Sequence, residues 1–193
     1  MDQGKKTVPM KKLFENITFR QLCAKAHKQT KPIVFSDQLK KSKRILVCMP
    51  ASPSEFAGMV KSINQFRLCF PQAHITLLQP QTIPVPANLT LGFQVVVWAQ
   101  PDVDRMGKPG KELKKRLFNE PFDLVVDLNI TPHFFAMAVA VESNAPIRAG
   151  FSDSARSQIY NLVIRPETAD TGQYMAILLS YLGTADPRRT NRR

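Results

Sequence analysis

Glu55 is a carboxylate that follows a predicted buried strand, the apolar run 45–49, after a short loop. A carboxylate at that place in the chain can act as a general base toward an acceptor hydroxyl. Ser52 and Ser54, in the same loop, can hydrogen-bond a ligand. Glu55 also stands at a predicted helix start, where the helix dipole favours a negative charge without any chemistry. The residue types therefore allow a catalytic role and a purely structural one.

A second polar group, Asp127, Asn129 and His133, follows the apolar run 122–128. These side chains can hydrogen-bond a ligand. Asp127 and Asn129 can equally cap the helix that is predicted next. In a parallel sheet, functional groups gather where the strands end at their carboxyl termini. The sequence therefore predicts that this group and the Glu55 loop belong to one candidate site.

No motif for a cofactor or a metal accompanies these residues. The loop after the first strand reads PASPS, and its two prolines stand where a phosphate-binding loop needs glycines and free amides. Cys23, Cys48 and Cys69 are too widely spaced for a metal pair or a disulfide framework. The three histidines are also scattered. We predict neither a cofactor nor a metal.

Apolar runs and helical patterns alternate through the body of the chain. The predicted strands are 45–49, 74–80, 94–99, 122–128, 146–151 and 160–166. The predicted helices are 55–70, 108–118, 133–142 and 168–182. Uniformly apolar strands that alternate with helices are typical of a parallel sheet with helices on both faces. We therefore predict an α/β fold, with a Rossmann-like domain over residues 45–183.

The positive charge of the chain is concentrated at its two ends. Residues 1–44 hold 12 Lys and Arg against 3 Asp and Glu, and residues 184–193 hold 4 against 1. Residues 45–183 hold 11 of each sign. This distribution indicates a basic N-terminal extension, a neutral domain and a basic C-terminal tail. Residues 10–29 show helical spacing of apolar residues, which predicts a basic amphipathic helix that docks on the body, on a partner or on a membrane surface.

The basic ends predict an anionic macromolecule as partner, namely RNA, the ribosome or an acidic membrane surface. The alternative is that they only keep the protein in solution. No stacking aromatic residue accompanies them, since Trp98, Tyr160, Tyr174 and Tyr181 fall in predicted core elements. The candidate polyanion-binding residues are Lys11, Lys12, Lys40, Lys41, Lys43, Arg44, Arg188, Arg189, Arg192 and Arg193.

The sequence carries no visible secretory signal and no run of about 18 apolar residues, which a membrane-spanning helix requires. We therefore expect a protein of the reducing cytoplasm with no transmembrane segment.

The segment 44–151 resembles glycosyltransferase family 9, the lipopolysaccharide heptosyltransferases. The piece after the first helix resembles that family's FP-x-A-x-I-x-L-L motif through Phe70, Pro71, Ala73, Ile75, Leu77 and Leu78. FDLVVDLN at 122–129 and APIRAGF at 145–151 are similar to two further strands of the family, in the same order. The ending of the chain instead resembles short single-domain bacterial proteins.

The resemblance implies the acceptor-binding half of a two-domain glycosyltransferase fold. The family's Gly-Asp pair, which carries its acceptor base, falls on Ser54 and Glu55. The resemblance does not extend to the half that binds the sugar donor, so it implies a non-catalytic binding or scaffold module. One alternative is a hexosyl- or heptosyltransferase that is completed by a partner chain and uses Glu55 as base. Another is a structural subunit of a homo-oligomer.

Overall fold

The computed structural model describes residues 10–89, 91–151, 156–165 and 171–183, without the side chains of 10–16, 88, 156, 171 and 172. Within these ranges six parallel strands form one sheet in the order β3-β2-β1-β4-β5-β6. The strands are β1 (Arg44–Cys48), β2 (His74–Pro80), β3 (Gln94–Trp98), β4 (Leu124–Asp127), β5 (Ile147–Phe151) and β6 (Leu162–Ile164). The predicted α/β, Rossmann-like fold is confirmed.

Helices cover both faces of the sheet, as predicted. The helices are α1 (Met10–Gln29), α2 (Phe35–Lys41), α3 (Pro53–Val60), α4 (Gln65–Cys69), α5 (Lys111–Leu117), α6 (Phe134–Glu142) and α7 (Thr171–Gly183). Alternate side chains of each central strand lie on opposite faces of the sheet. Ile45 and Val47 pack with α2, α3, α4 and α7, whereas Leu46 and Cys48 pack with α1, α5 and α6. Because both faces are buried, the strands read as continuous apolar runs.

The predicted helix 55–70 is two helices in the structure, α3 and α4. The break contains Ser62 and Asn64, whose side chains favour turns over helix interiors. It allows Ile63 to enter the core, where the side chain is fully buried. Helix α2 was not predicted, because a seven-residue helix with the single buried residue Leu39 has too short an apolar pattern to be recognised.

Of the separate basic extension predicted for residues 1–44, residues 1–9 lie outside the described structure, and residues 17–44 pack on the body of the domain. Leu22 and Ala26 of α1 are buried against α6, and Lys25 forms an ion pair with Glu142 at 2.9 Å. Leu39 of α2 is buried on the opposite face. The sequence left three docking surfaces open for helix 10–29. In the structure this helix packs on the body of its own chain. Residues 17–44 are therefore part of the domain, because Leu22, Ala26 and Leu39 complete its two cores.

Arg148, the second residue of β5, fastens α1 to the body. Its side chain is 1 % exposed. The guanidinium donates to the carbonyl oxygens of Ile159 (2.9 Å), Ala145 (3.2 Å) and Ala26 (3.1 Å), and to Thr30 Oγ1 (2.9 Å). Burial lowers the pKa of Arg148. The C-terminal end of α1 offsets the cost of desolvating the cation, because the carbonyl groups there carry partial negative charge.

Candidate functional site at the carboxyl edge of the sheet

The loops that follow β1 and β4 meet at the carboxyl edge of the sheet, as the sequence predicts. Their strands are neighbours, with Cys48 opposite Asp127. The backbone amide of Ala51 donates to Asn129 Oδ1 at 2.9 Å, which ties one loop to the other. The Glu55 group and the Asp127 group therefore do form one cluster.

Glu55 uses its carboxylate to hold the loop after β4. Oε2 accepts from the amide of Ile130 at 2.9 Å, and Oε1 accepts from the amide and the hydroxyl of Thr131 at 3.0 and 2.6 Å. The residue is 9 % exposed. Three of the roughly four lone-pair directions of a carboxylate are thus occupied. The structure places Glu55 in a positioning role within the site.

Replacing Glu55 with glutamine should lower the free energy of unfolding by about 1.5–3 kcal/mol, the usual range for a hydrogen bond to a charged group. One carboxylate oxygen becomes an NH2 group, which would face the amide of Ile130 or of Thr131, donor against donor. Urea denaturation measures the effect. Glu112→Gln, at an exposed position of α5, is the matched control and should stay within about 0.5 kcal/mol of the wild type. Equal stability of all three proteins would contradict the positioning role.

Asp127 is the most deeply buried acid of the site, at 1 % exposure. Its Oδ1 accepts from the backbone amide and the side-chain amide of Asn129, at 2.9 and 2.6 Å. Its Oδ2 accepts a short hydrogen bond from the hydroxyl of Tyr160. The ring of Tyr160 fits against Gly150, where a Cβ atom would lie 2.7 Å from it. This carboxylate therefore links β4 to the segment that precedes β6.

The structure does not show Asp127 and Asn129 as caps of α6. The residue before that helix is His133, and it makes no side-chain capping bond. Asp127 and Asn129 instead shape the loop and its contact with Ala51. The sequence pattern allowed capping because both residue types are common at that position.

His133 is half-buried beside the aromatic rings of Trp98 and Phe135, with ring centroids 5.8 and 6.4 Å from its own. Burial lowers its pKa, against the opposing influence of Asp127 and Glu55. This direction favours the neutral imidazole, which can donate and accept one hydrogen bond each. His133 is thus a polar group of the site that a ligand can reach.

Ser52 and Ser54 hydrogen-bond each other through their hydroxyls at 2.9 Å. Ser54 is exposed and Ser52 is half-buried, so both border the site from the β1 side. Thr131 and Trp98 complete the cluster but were not predicted as site residues. The position of Trp98 at the end of β3 was the available signal, because that strand end belongs to the same edge.

The predicted polyanion-binding residues lie elsewhere. Lys40 and Lys41 end α2 and Lys43 precedes β1, at the opposite, amino edge of the sheet. Lys11 and Lys12 belong to α1, but their side chains lie outside the described residues, as do Arg188, Arg189, Arg192 and Arg193.

Arg44 does not belong to a basic arm. It is the first residue of β1, it pairs with Glu120 at 2.6 Å, and it lies over the ring of Phe122 at 5.5 Å from the centroid. Its charge is therefore balanced within the domain. Tyr181, which we expected in the core, is exposed on α7.

Among the described residues, no cluster of three or more His, Cys, Asp or Glu side chains is arranged to hold a metal ion. Nor does this part of the chain contain a helix with the length and apolar character that a bilayer crossing demands.

A six-stranded parallel sheet with polar loops at its carboxyl edge defines a Rossmann-like α/β protein. Residues 88–184, slightly more than half of the chain, match DUF6913, a family of unknown function. The chain belongs to that family. The matched region runs from the turn before β3 to the end of α7, so it includes the Asp127 loop and not Glu55. No curated protein and no solved structure matches the chain.

Proposed function

We propose that this protein is a non-catalytic binding module of the cytoplasm, a glycosyltransferase family 9-like half domain that uses basic surfaces to bind RNA. Two structural facts support the proposal. The carboxyl-edge carboxylates are engaged in holding loops together, as shown for Glu55 and Asp127. The amino edge, in contrast, presents lysines that have no anionic partner within the described chain.

The observation that carries the proposal is a set of five lysines, which we call the amino-edge lysines. They lie along the end of α1, around α2 and before β1. All five are exposed, and none pairs with a described acid. Asp37 is the one acid between residues 17 and 43. The set consists of Lys28, Lys31, Lys40, Lys41 and Lys43.

RNA fits these lysines better than a membrane surface does. A helix that lies in a bilayer interface needs its apolar face free to enter the lipid. Leu22 and Ala26, which belong to the apolar face of α1, are buried in the domain. Val34 is an isolated exposed apolar side chain next to the lysines. A basic surface without an adjoining apolar face favours contacts with the phosphates of a nucleic acid over insertion into lipid.

Neutralising Lys40, Lys41 and Lys43 together by substitution with glutamine should weaken RNA binding and its salt dependence. Each phosphate contact on a single strand contributes about 0.7 to the slope of log K against log salt, so the slope should fall by about 2. Fluorescence anisotropy with a labelled single-stranded RNA, at salt concentrations from about 50 to 200 mM, measures both quantities.

The matched control removes the same charge from the neutral body, through glutamine at Lys61, Arg105 and Lys111. These residues are exposed and form no ion pair with a described residue. The control should bind RNA nearly as the wild type does. If both triple variants lose affinity equally, binding follows net charge alone and the assigned surface is wrong. If the wild type binds acidic vesicles and not RNA at low salt, the RNA proposal is wrong.

A second candidate function is a glycosyltransferase completed by a partner chain. The observation in its favour is that Ser54, His133 and Glu55 border one edge of the sheet, as they would for acceptor recognition. In this function Glu55 is the base, so Glu55→Gln in a purified complex would abolish sugar transfer while the complex stays folded. Unchanged transfer would exclude that role.

A further inference from the structure

A groove of about 880 Å³ runs between α1 and the segment 157–161, on the face of the sheet that α1 covers. Arg20, Cys23 and His27 contribute the α1 side. The volume is within the range of small-molecule sites, about 300–1,000 Å³. The groove is distinct from the carboxyl-edge cluster, and among its described lining residues there is no lysine.

Buried polar contacts fix both walls of this groove. The Arg148 guanidinium donates to the carbonyl of Ile159 on one wall, and to Ala26 of α1 and the adjoining Thr30 on the other. Asn161 is held by the Arg148 amide, which donates to Oδ1 at 2.8 Å. The two walls are therefore joined through one side chain, and the groove is preformed. A preformed cavity binds with a smaller loss of conformational entropy than one that must be assembled.

Tyr160 and Ile159 provide an apolar, buried base for the groove. The Tyr160 ring cannot shift freely, because its hydroxyl is bonded to Asp127 and its ring edge packs on Gly150. Ile159 and Tyr160, 1 and 3 % exposed, therefore form a rigid floor, and the apolar surface that a ligand can reach is that of Phe19 and Ala24 on α1.

Among the described residues that line the groove, Arg20 is the one charged side chain, and His27 adds a second basic group. Arg20 and His27 are both exposed and seven residues apart on α1, which places them about 10 Å apart on one side of the helix. No acid is present among the described lining residues. Ser157 and Gln158, on the facing wall, are polar and uncharged. An arginine is well suited to carboxylate and phosphate groups, because its planar fork can donate two parallel hydrogen bonds.

We propose that this groove binds a small organic anion, with its phosphate or carboxylate at Arg20 and its apolar body against Phe19 and Ala24. His27 donates a further hydrogen bond to the anion or to its polar substituents. The amino-edge lysines take no part, so this site and RNA binding can be tested separately.

Four probes test separately whether binding requires the anionic group and whether it requires the apolar ring. Phenyl phosphate and benzoate carry both an anion and a ring, inorganic phosphate carries only the anion, and phenol carries only the ring. Titration of the full chain, followed by backbone amide NMR shifts, should give saturable changes at Cys23, Gln158 and Asn161 with the first two probes. Inorganic phosphate and phenol should each bind at least tenfold more weakly. The ratio between phenyl phosphate and benzoate identifies the preferred acid.

Replacing Arg20 with glutamine should weaken binding of the better probe by about tenfold or more, because a charge-assisted contact is lost. Lys28→Gln removes the same charge from α1 outside the described groove lining and should leave binding unchanged. Unchanged thermal stability of both variants shows that α1 stays docked. The proposal is overturned if no probe gives saturable shifts along the groove, or if Arg20→Gln and Lys28→Gln have equal effects.

Discussion

Replacing Arg148 with methionine should lower the free energy of unfolding by about 2–4 kcal/mol, because buried carbonyl groups lose the donor that satisfies them. Methionine can fill much of the space, but it has no donor for the carbonyls of Ala145 and Ile159, whereas the carbonyl of Ala26 keeps its hydrogen bonds from Thr30. Acceptors that are buried without partners cost about 1–3 kcal/mol each, and these costs are not additive. Urea denaturation followed by circular dichroism measures the loss.

The matched control is Arg105→Met, at an exposed position without a described ion pair. It should change the free energy of unfolding by less than about 0.5 kcal/mol. Arg148→Met should also raise the rate at which Cys23 is alkylated, because α1 loses the hydrogen bonds that Arg148 makes to Ala26 and Thr30. In the wild type, burial raises the pKa of the Cys23 thiol and slows that reaction. A variant as stable as the control, with unchanged alkylation, would show that Arg148 does not hold α1.

Replacing Asp127 with alanine should lower the free energy of unfolding by about 3 kcal/mol. The side-chain amide of Asn129 and the hydroxyl of Tyr160 would lose an acceptor inside the fold, and the exchange would leave a small cavity. The same denaturation experiment measures the change. Tyr160→Phe removes a single hydrogen bond to the same carboxylate and should have a smaller effect.

Combining Asp127→Ala with Tyr160→Phe tests the assignment of this contact. If the two groups act through their hydrogen bond, the double variant should be less destabilised than the sum of the two single variants. Strict additivity would show that Asp127 and Tyr160 stabilise the fold independently. Gly150→Ala perturbs the same contact from the other side, through the ring of Tyr160.

The strands and the shared edge could be predicted because they follow from local pattern. Apolar runs as continuous as 45–49 and 74–80 allow little other than buried strands, and their ends agree with the structure within two residues. In a parallel sheet, neighbouring strands end at the same edge. The loops after β1 and β4 are therefore neighbours once these two strands pair. The proximity of Glu55 and Asn129 follows from this.

The roles of individual polar residues could not be predicted from sequence. Arg148 stands in an apolar run, and nothing in PIRAGF indicates that one of its partners is a carbonyl of a helix more than 100 residues earlier. Glu55 presents the same difficulty. A carboxylate near a helix start is compatible with catalysis, with the helix dipole or with the loop contact that the structure shows. The choice depends on which amides face it, and this is a property of the tertiary structure.

The attachment of α1 also has a consequence for synthesis on the ribosome. Arg148 follows Ala26, its helical partner, by 122 residues. At about 5–20 residues per second, α1 is complete roughly 6–24 s before Arg148 is translated. Until α6 is made at residues 134–142, Leu22 and Ala26 lack the surface that covers them in the folded domain. Arg148 can therefore secure α1 only after β5 is made, although α1 is the first of the described helices along the chain.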